Sequence, residues 1–553
     1  MLVLTLASTG LSLYLPSLSR GLVDDALLGR SFAALVRIVA LFFGLTLAGF
    51  VLNVIGGLTY TRASAEILFD MRLAVYRHLQ RLSPRFYARM PLGQIVSRLN
   101  ADISEIQRVV GEVALAWVGS VIFLVGAVII LIVLDPVLFA VSLVILPASI
   151  WALVRFRRQL EGAVASLRDR SAEIGTFLID TLMGMRVTSG FTAEEREVLR
   201  FRSRNDSFIA SLMAMRRLTY LAGGLPGLLL AAGSAAVFLV GGWRVIGGVI
   251  TMGTLVAFVT YQMRLAAPVQ GLMGLYASIA TARVSLRRVR EILDAPVEVI
   301  EASDATALAK ARGELTLDAV SFAFEPGRAV LAGVSLAVRA GERVAIVGRS
   351  GEGKSTIGDL LVRQLDVDSG RILLDGCDLR HLKLADVRRH VVVVDQDPFM
   401  FHASIFENIR YARPDATEAQ VADAARAAGL EALLARLPDG GATSVGERGR
   451  ALSAGERQRV AMARAYRADP AVLVLDEATG ALDPATEAEV VSGYEALMRG
   501  RTTIVITHRL ELARRAERVV VLEQGRIIEE GTAADLIERR GVFAELFAER
   551  PRR

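Results

Sequence analysis

Residues 343–356 read RVAIVGRSGEGKST, and this stretch decides the fold of the second half of the chain. The run Arg343–Val347 predicts a buried strand, and a glycine-rich turn leads from it into a helical pattern over Ile357–Leu365. Residues 348–356 fit the pattern G-x-x-x-x-G-K-S/T in the strand–loop–helix context that the motif needs. Glycines allow a tight loop whose backbone N–H groups face phosphate oxygens. The stretch therefore predicts an α/β domain with a nucleotide phosphate site.

Individual side chains of this loop predict how the phosphates are held. Lys354 is one of three lysines among 64 basic residues, and it places a compact positive charge on the β- and γ-phosphates. Ser355 supplies a hydroxyl ligand for Mg²⁺. The nucleotide-binding prediction covers Gly348, Arg349, Ser350, Gly351, Gly353, Lys354, Ser355 and Thr356.

Two further buried-strand patterns end in ionisable side chains. Val472–Leu475 runs into Asp476 and Glu477, where Asp476 suits the Mg²⁺ shell and Glu477 suits a base that polarises the attacking water. Thr503–Thr507 ends at His508. The carboxyl ends of strands in an α/β sheet face the ligand crevice, so His508 is expected there. These residues predict ATP and Mg²⁺ as cofactors.

The first half of the chain has a different composition. The chain of 553 residues is 53% hydrophobic and 22% charged, which is too apolar for a wholly soluble protein and too charged for one that lies wholly in lipid. Residues 1–290 carry 29 Arg, no Lys and 16 acidic residues, whereas residues 291–553 carry 35 basic and 42 acidic residues. The lone Cys377 excludes a disulfide scaffold. We therefore expect a membrane half and a soluble half.

Six uncharged windows are long enough to cross a bilayer, which takes about 17–25 residues. The long connectors, residues 58–112 and 155–217, hold 8 and 12 Arg, and the short connectors hold few. The positive-inside rule then places the long connectors and both termini in the cytoplasm. This topology explains the excess of basic over acidic residues in the first half better than binding to nucleic acid does. We therefore exclude nucleic acid as a partner. The windows are 1–19, 38–58, 113–134, 136–154, 218–243 and 245–263.

The long connectors carry apolar residues at helical spacing and are predicted to be helices that continue the spans by about 35–40 Å. Window 1–19 is interpreted as a span, since a signal peptide needs a basic start and an A-x-A site. The fold class is an α-helical six-span transmembrane domain followed by an α/β P-loop nucleotide-binding domain. The predicted limits are 1–293 for the transmembrane domain, 294–312 for a linker and 313–553 for the nucleotide-binding domain.

With these motifs in place, nearly the whole chain resembles a half-transporter of the ATP-binding cassette (ABC) exporters, of the bacterial multidrug or lipid type. Leu452–Arg459, LSAGERQR, resembles the signature segment, usually L-S-G-G-Q. Val394–Pro398, VDQDP, resembles the Q-loop, and Ala481–Asp483 resembles the D-loop. Phe324 falls where the family has an aromatic ring that stacks on adenine, and His508 matches its switch histidine.

The resemblance implies further site residues. It adds Gln396 to Glu477 and His508 as catalytic residues, and it makes Ser355, Gln396 and Asp476 the Mg²⁺ ligands. Besides Phe324, it implies nucleotide contacts by the signature segment, which meets the nucleotide of the opposite cassette in a dimer. Those implied contacts are Ser453, Gly455 and Glu456, and Asp483 of the D-loop is added to them.

Three departures from the family pattern leave the partner open. Ala454, Glu456 and Gly480 stand where the family usually has Gly, Gln and Ser. We favour a homodimer, with a heterodimer that has one weak ATP site as the alternative.

The resemblance implies an ATPase of the cell (plasma or inner) membrane, multi-pass and with a cytoplasmic nucleotide-binding domain. Such a protein moves hydrophobic or amphipathic small molecules, lipids or peptides out of the cytoplasm or inner leaflet. An importer on the same fold and an ATP-gated channel remain alternatives. The spans argue against a soluble DNA-maintenance ATPase of the same superfamily.

Overall fold

The computed structural model describes residues 1–325, 327–476 and 484–548 of the chain. They form two compact units, and each unit takes residues from two places in the sequence. The first unit comprises Met1–Val75 and Ser97–Arg290, and the second comprises Tyr76–Val96 and Glu291–Arg553. The predicted domain limits treated each domain as one continuous segment of the sequence. They therefore did not assign Tyr76–Val96 to the second unit.

The first half of the chain contains three helices that are longer than a bilayer is thick. Three of them have 48, 48 and 53 residues, or about 70–80 Å at 1.5 Å per residue, against about 30 Å of hydrocarbon. The prediction that the spans continue as helices into the long connectors is therefore confirmed. The helices are α1 (Leu2–Tyr14), α2 (Leu18–Gly21), α3 (Phe32–Leu79), α4 (Pro84–Arg89), α5 (Leu92–Ser97), α6 (Ile103–Arg108), α7 (Ala114–Leu134), α8 (Pro136–Met183), α9 (Met185–Gly190), α10 (Glu194–Ile246), α11 (Met252–Arg264) and α12 (Ala266–Leu293).

Apolar side chains cover the outside of α3 as they do in a lipid-facing helix. Phe42, Phe43 and Phe50 are 48%, 68% and 64% exposed. Within the part of the chain that the structure describes, two helical stretches, Phe32–Leu79 and Leu92–Leu134, are long and apolar enough to cross a membrane. The count of six spans stays a prediction.

A tight hairpin at Asp135 joins α7 to α8. The Asp135 carboxylate caps α8 by accepting hydrogen bonds from the backbone N–H groups of Val137 (2.8 Å) and Leu138 (3.0 Å). Its other oxygen pairs with the Arg244 guanidinium, near the end of α10, at 2.9 Å. One buried carboxylate thus links three helices at this end of the unit.

The second unit contains two sheets. The four-stranded sheet has the order β2-β1-β4-β5, and the six-stranded sheet has the order β10-β9-β3-β8-β7-β6. All pairs in the larger sheet are parallel except β10 with β9. The strands are β1 (Leu315–Glu325), β2 (Arg328–Val338), β3 (Arg343–Val347), β4 (Ser369–Leu374), β5 (Cys377–Asp378), β6 (Val391–Val394), β7 (Val472–Asp476), β8 (Thr502–Ile506), β9 (Arg518–Glu523) and β10 (Arg526–Gly531).

Helices cover the larger sheet, whose central strands are buried on both faces, as continuous apolar runs in parallel sheets usually are. The expected strands at 343–347 and 472–475 are present, and the third begins at Thr502 and ends at Ile506. The helices are α13 (Lys354–Leu361), α14 (Leu384–His390), α15 (Ile405–Arg410), α16 (Glu418–Ala427), α17 (Glu431–Arg436), α18 (Ala454–Ala468), α19 (Pro484–Met498), α20 (Leu510–Arg514), α21 (Ala533–Glu538) and α22 (Val542–Ala548).

The helix after the phosphate loop differs from the expected Ile357–Leu365. It begins at Lys354 and ends at Leu361. It stops early because Arg363 adopts a left-handed backbone conformation with φ 49°. The Arg363 guanidinium is buried and donates to the Leu379 carbonyl and to Asp366, which stabilises a turn that the apolar spacing did not reveal.

Candidate nucleotide-binding site

A cavity of about 640 Å³ lies beside residues 348–356, the phosphate loop. Its volume is in the range of ordinary small-molecule sites. It brings together predicted residues from four separate parts of the second half of the chain. These are Phe324, Ser350, Gly351, Gly353, Lys354, Ser355, Thr356, Gln396 and Asp476. We call it the nucleotide cavity.

The backbone of the phosphate loop requires glycine at position 353. Gly353 precedes α13 with φ +89°, and a Cβ atom there lies only 2.8 Å from Val330 Cγ1 and 2.9 Å from the Val330 carbonyl oxygen. Any other residue is strained by its φ and clashes with β2. The loop thus packs closely against the four-stranded sheet. The N-terminus of α13 lies at the cavity, where backbone N–H groups favour an anion.

The side chain of Lys354 is held against the phosphate loop by two hydrogen bonds. Its side chain is buried, and its Nζ donates to the carbonyl oxygens of Gly348 (3.0 Å) and Arg349 (2.6 Å). Gly348 and Arg349 therefore act through their backbone carbonyls, and neither residue is among those that line the cavity. The bonds orient a cation whose four-carbon stem is otherwise flexible.

Three carboxylates gather behind the loop. Burial and the nearby carboxylates of Asp395 and Asp476 raise the pKa of Asp359 to about 6. Burial, and then the charge of Asp476, likewise raises the pKa of Asp395. Burial and like charge thus disfavour the ionised forms of Asp359 and Asp395. In the part of the chain that the structure describes, no group of three or more His, Cys, Asp or Glu is arranged to hold a metal alone.

The cavity nevertheless fits Mg²⁺, because this ion is usually held by one or two protein oxygens together with substrate phosphates and water. Ser355, Gln396 and Asp476 offer a hydroxyl, an amide and a carboxylate on the same cavity. The negative charge of the three neighbouring carboxylates favours a cation there.

Asp359 gives a pH-dependent prediction. Because its pKa is higher in the folded chain than in the unfolded chain, the folded state loses stability as the pH rises from about 4 to about 6. We expect Asp359→Asn to stabilise the metal-free chain by about 1 kcal/mol at pH 8, after allowance for the partial exposure of its side chain, and by nothing near pH 4. Thermal unfolding of the full chain with EDTA at the two pH values measures this difference. The exposed Glu538→Gln is the control, and an equal shift at both pH values contradicts the prediction.

Gln396 is positioned by a residue that the sequence analysis did not single out. Gln458, buried in α18, donates through Nε2 to the carbonyl oxygens of Asp395 (3.2 Å) and Gln396 (2.5 Å). Its Oε1 accepts from the Tyr494 hydroxyl at 2.8 Å. The segment after β6 is therefore fixed to the helix that carries the signature residues. A glutamine two positions after the signature glutamate gave no separate signal in the sequence.

The signature segment lies at the start of α18 and does not line the nucleotide cavity. Ser453 caps the helix, with its Oγ accepting from the Glu456 N–H at 3.2 Å, and Glu456 closes a capping box by accepting from the Ser453 N–H at 2.7 Å. Gly455 is buried in the first turn. The Glu456 carboxylate also pairs with the Arg436 guanidinium at 2.6 Å.

These bonds explain the departure at position 456. Burial alone raises the pKa of Glu456, but the hydrogen bonds from Ser453 and Arg436 bring it below its ordinary value. The carboxylate is therefore ionised and engaged within its own chain. A glutamine closes the same capping box without the charge.

Other predicted residues lie elsewhere. Glu477, Gly480 and Asp483 fall outside the described residues. His508 lies two residues beyond Ile506, the last residue of β8, and is not among the residues that line the nucleotide cavity. Residues that line the cavity without having been predicted include Glu325, Arg328, Glu352, Gln524 and Gly525. They come mainly from turns beside β1 and β9, whose approach to the loop is set by tertiary packing.

Comparisons with known proteins agree with this architecture. The family model for the ABC transporter transmembrane region matches residues 1–269, and the model for the ABC transporter matches residues 331–480. An ATP-dependent lipid A-core flippase of Syntrophus aciditrophicus (strain SB) is 33% identical over 89% of this chain and 82% of its own. A putative multidrug export ATP-binding/permease protein of Bacillus subtilis (strain 168) is 33% identical over 97% of this chain and 93% of its own.

A solved structure gives the same result for the fold. The structure of a bacterial Atm1-family ABC exporter with ATP bound matches with a TM-score of 0.81 and 30% identity, covering 100% of this chain and 97% of the other. The helical membrane region, the α/β domain with its phosphate loop and these similarities lead to one conclusion. The chain belongs to the ABC exporters, as a half-transporter that dimerises, lies in the inner membrane as a multi-pass protein and hydrolyses ATP in its cytoplasmic domain.

Proposed function

We propose that the nucleotide cavity binds Mg²⁺-ATP with the adenine on Phe324 and the triphosphate along the phosphate loop. The observation that carries this proposal is the meeting of Phe324, Lys354, Gln396 and Asp476 on one cavity. Phe324 is 41% exposed, so a face of its ring is open for stacking on a base. Lys354 and the N-terminus of α13 supply positive charge at the phosphates.

Mg²⁺, when bound, neutralises the phosphate charge and orients the terminal phosphate for in-line attack. Ser355, Gln396 and Asp476 are the residues that would hold it. Glu477 acts as the base that takes a proton from the attacking water, and His508 stabilises charge near the γ-phosphate. Position 477 directly follows Asp476 at the carboxyl end of β7, which supports the assignment of the base.

A second copy of this chain completes the site. We propose that Ser453 and Gly455 of each copy close over the nucleotide of the other copy, and that Asp483 lies at the same interface. The start of α18 supports this role because the Ser453 hydroxyl oxygen accepts the capping hydrogen bond, and a hydroxyl that accepts still has a proton to donate to a phosphate oxygen. Glu456 then serves chiefly to hold the first turn of α18.

We propose an amphipathic cargo. Within the first unit, a cavity of about 330 Å³ between α1 and α3 mixes leucines with Thr5, Ser8, Asn53 and Tyr60. Ser8 donates to Asn53 Oδ1 at 3.1 Å. Such a wall offers hydrogen bonds in an apolar setting, which suits molecules with a polar group on an apolar body. Arg264 is a weaker candidate for contact with the cargo. Its guanidinium donates a hydrogen bond to the Ser12 carbonyl at 3.3 Å and so links α11 to α1.

ATPase measurements on the purified chain, reconstituted alone in lipid, test the proposal. We expect basal hydrolysis that amphipathic drugs or lipids stimulate severalfold, and accumulation of the stimulating compound in vesicles whose cassettes face outward. The Lys354→Ala variant is the control for a contaminating ATPase. Hydrolysis that appears only after a second half-transporter is added contradicts the homodimer, and release of the compound from such vesicles contradicts export.

A further inference from the structure

Arg85 reaches the aromatic ring that we assign to adenine. It lies in α4, within the segment Tyr76–Val96 that belongs to the second unit. Its guanidinium carbon lies 4.5 Å from the centroid of the Phe322 ring and 5.6 Å from the centroid of the Phe324 ring. The two rings meet edge to face, with centroids 5.0 Å apart. The cation is therefore within interaction distance of both rings.

One hydrogen bond and one long ion pair hold the guanidinium in this position. Arg85 Nη2 donates to the carbonyl oxygen of Ala323, the residue between the two phenylalanines, at 2.5 Å. Glu298 lies 3.9 Å from Nη1, at the outer limit of an ion pair. Nε is buried and has no hydrogen-bond partner among the described residues. The head group is thus directed mainly at β1 and its rings.

The two rings differ in exposure. Phe322 is 1% exposed and belongs to the core of the first sheet, whereas Phe324 is 41% exposed and lines the nucleotide cavity. A phenylalanine at the surface has rotamers of similar energy, and only contacts with neighbours select one. Phe322 and Arg85 supply such contacts for Phe324.

We propose that Arg85 is a positioning residue for the nucleobase, acting by holding Phe324 in the orientation that stacks on adenine. This inference rests on the proposed role of Phe324 and adds a residue from the first half of the chain. Arg85 touches neither phosphate nor water in this scheme, so its effect is confined to the base.

The test compares ligands with and without a base on the full-length chain in lipid. We expect Arg85→Met, which keeps the length of the side chain but removes the charge, to raise KM for ATP about three- to tenfold. Inhibition by inorganic tripolyphosphate, which has no base, is expected to be unchanged, and kcat is expected to change little. Arg85→Lys should restore part of the affinity because it keeps the cation. Arg89→Met, an exposed arginine in the last turn of α4, is the matched control.

A double-substitution cycle separates the inference from its premise. If Arg85 acts through the ring, Arg85→Met adds no further increase in KM to that caused by Phe324→Ala. Multiplicative effects of the two substitutions overturn the inference, as does an equal loss of affinity for tripolyphosphate. If Phe324→Ala raises KM and Arg85→Met does not, the inference alone fails. If Phe324→Ala leaves KM unchanged, the proposed stacking role fails and the inference falls with it.

Discussion

Replacing Lys354 by alanine should abolish ATP binding and reduce hydrolysis by at least about a hundredfold. The buried ammonium is fixed by the Gly348 and Arg349 carbonyls beside the nucleotide cavity, where we propose that it meets the β- and γ-phosphates. Its loss leaves the phosphate charge without its nearest protein cation and also removes a link that shapes the loop. Binding of a fluorescent ATP analogue and ATPase rates of the full chain in lipid measure both effects.

The chain offers a natural control for this substitution. Lys383 is exposed and lies outside the residues that line the cavity, and Lys383→Ala should leave both readouts at the parent level. A Lys354→Ala variant that still binds the analogue with parental affinity excludes the assigned phosphate contact.

Replacing Glu477 by glutamine should separate binding from hydrolysis. Glutamine keeps the size and hydrogen-bonding capacity of the side chain but cannot accept the proton of the attacking water. We expect ATPase activity to fall about 10²–10⁴-fold, the usual contribution of a general base, while ATP binding persists. Trapped, unhydrolysed nucleotide in the purified variant measures this outcome, and the exposed Glu511→Gln serves as control.

The two substitutions are informative as a pair. Lys354→Ala removes binding and turnover together, whereas Glu477→Gln removes turnover alone. Hydrolysis by Glu477→Gln at the parental rate transfers the role of the base to another residue, and it leaves the phosphate-binding assignment intact.

The sequence predicted those parts of the site that depend on neighbours along the chain. The phosphate loop is one continuous motif, so its strand, its glycines and Lys354 were recognisable together. Asp476 was also predicted, because it ends a buried-strand pattern with a carboxylate that suits Mg²⁺. Gln396 came from the resemblance of Val394–Pro398 to the Q-loop of exporters. The resemblance to exporters added Phe324, which lies 30 residues before Lys354 in the sequence and reaches the cavity through β1.

Contacts between distant parts of the chain were beyond sequence reasoning. Nothing in the spacing of Gln458 and Gln396 indicates that one fixes the backbone of the other. The same holds for Arg436, which balances the charge of Glu456. The early end of α13 had no apolar signal, because a left-handed Arg363 is stabilised by its own hydrogen bonds rather than by a glycine. Such features follow from tertiary packing, which a single sequence does not encode in any local pattern.

The placement of Tyr76–Val96 in the second unit has a consequence for protein engineering. A cassette expressed from residue 313 onward lacks Arg85, and its measured nucleotide affinity would describe a protein without the cation on Phe322 and Phe324. Chimaeras that exchange membrane halves between exporters inherit position 85 from one parent and positions 322 and 324 from the other. In such chimaeras, residues 76–96 should therefore be taken from the same parent as the cassette.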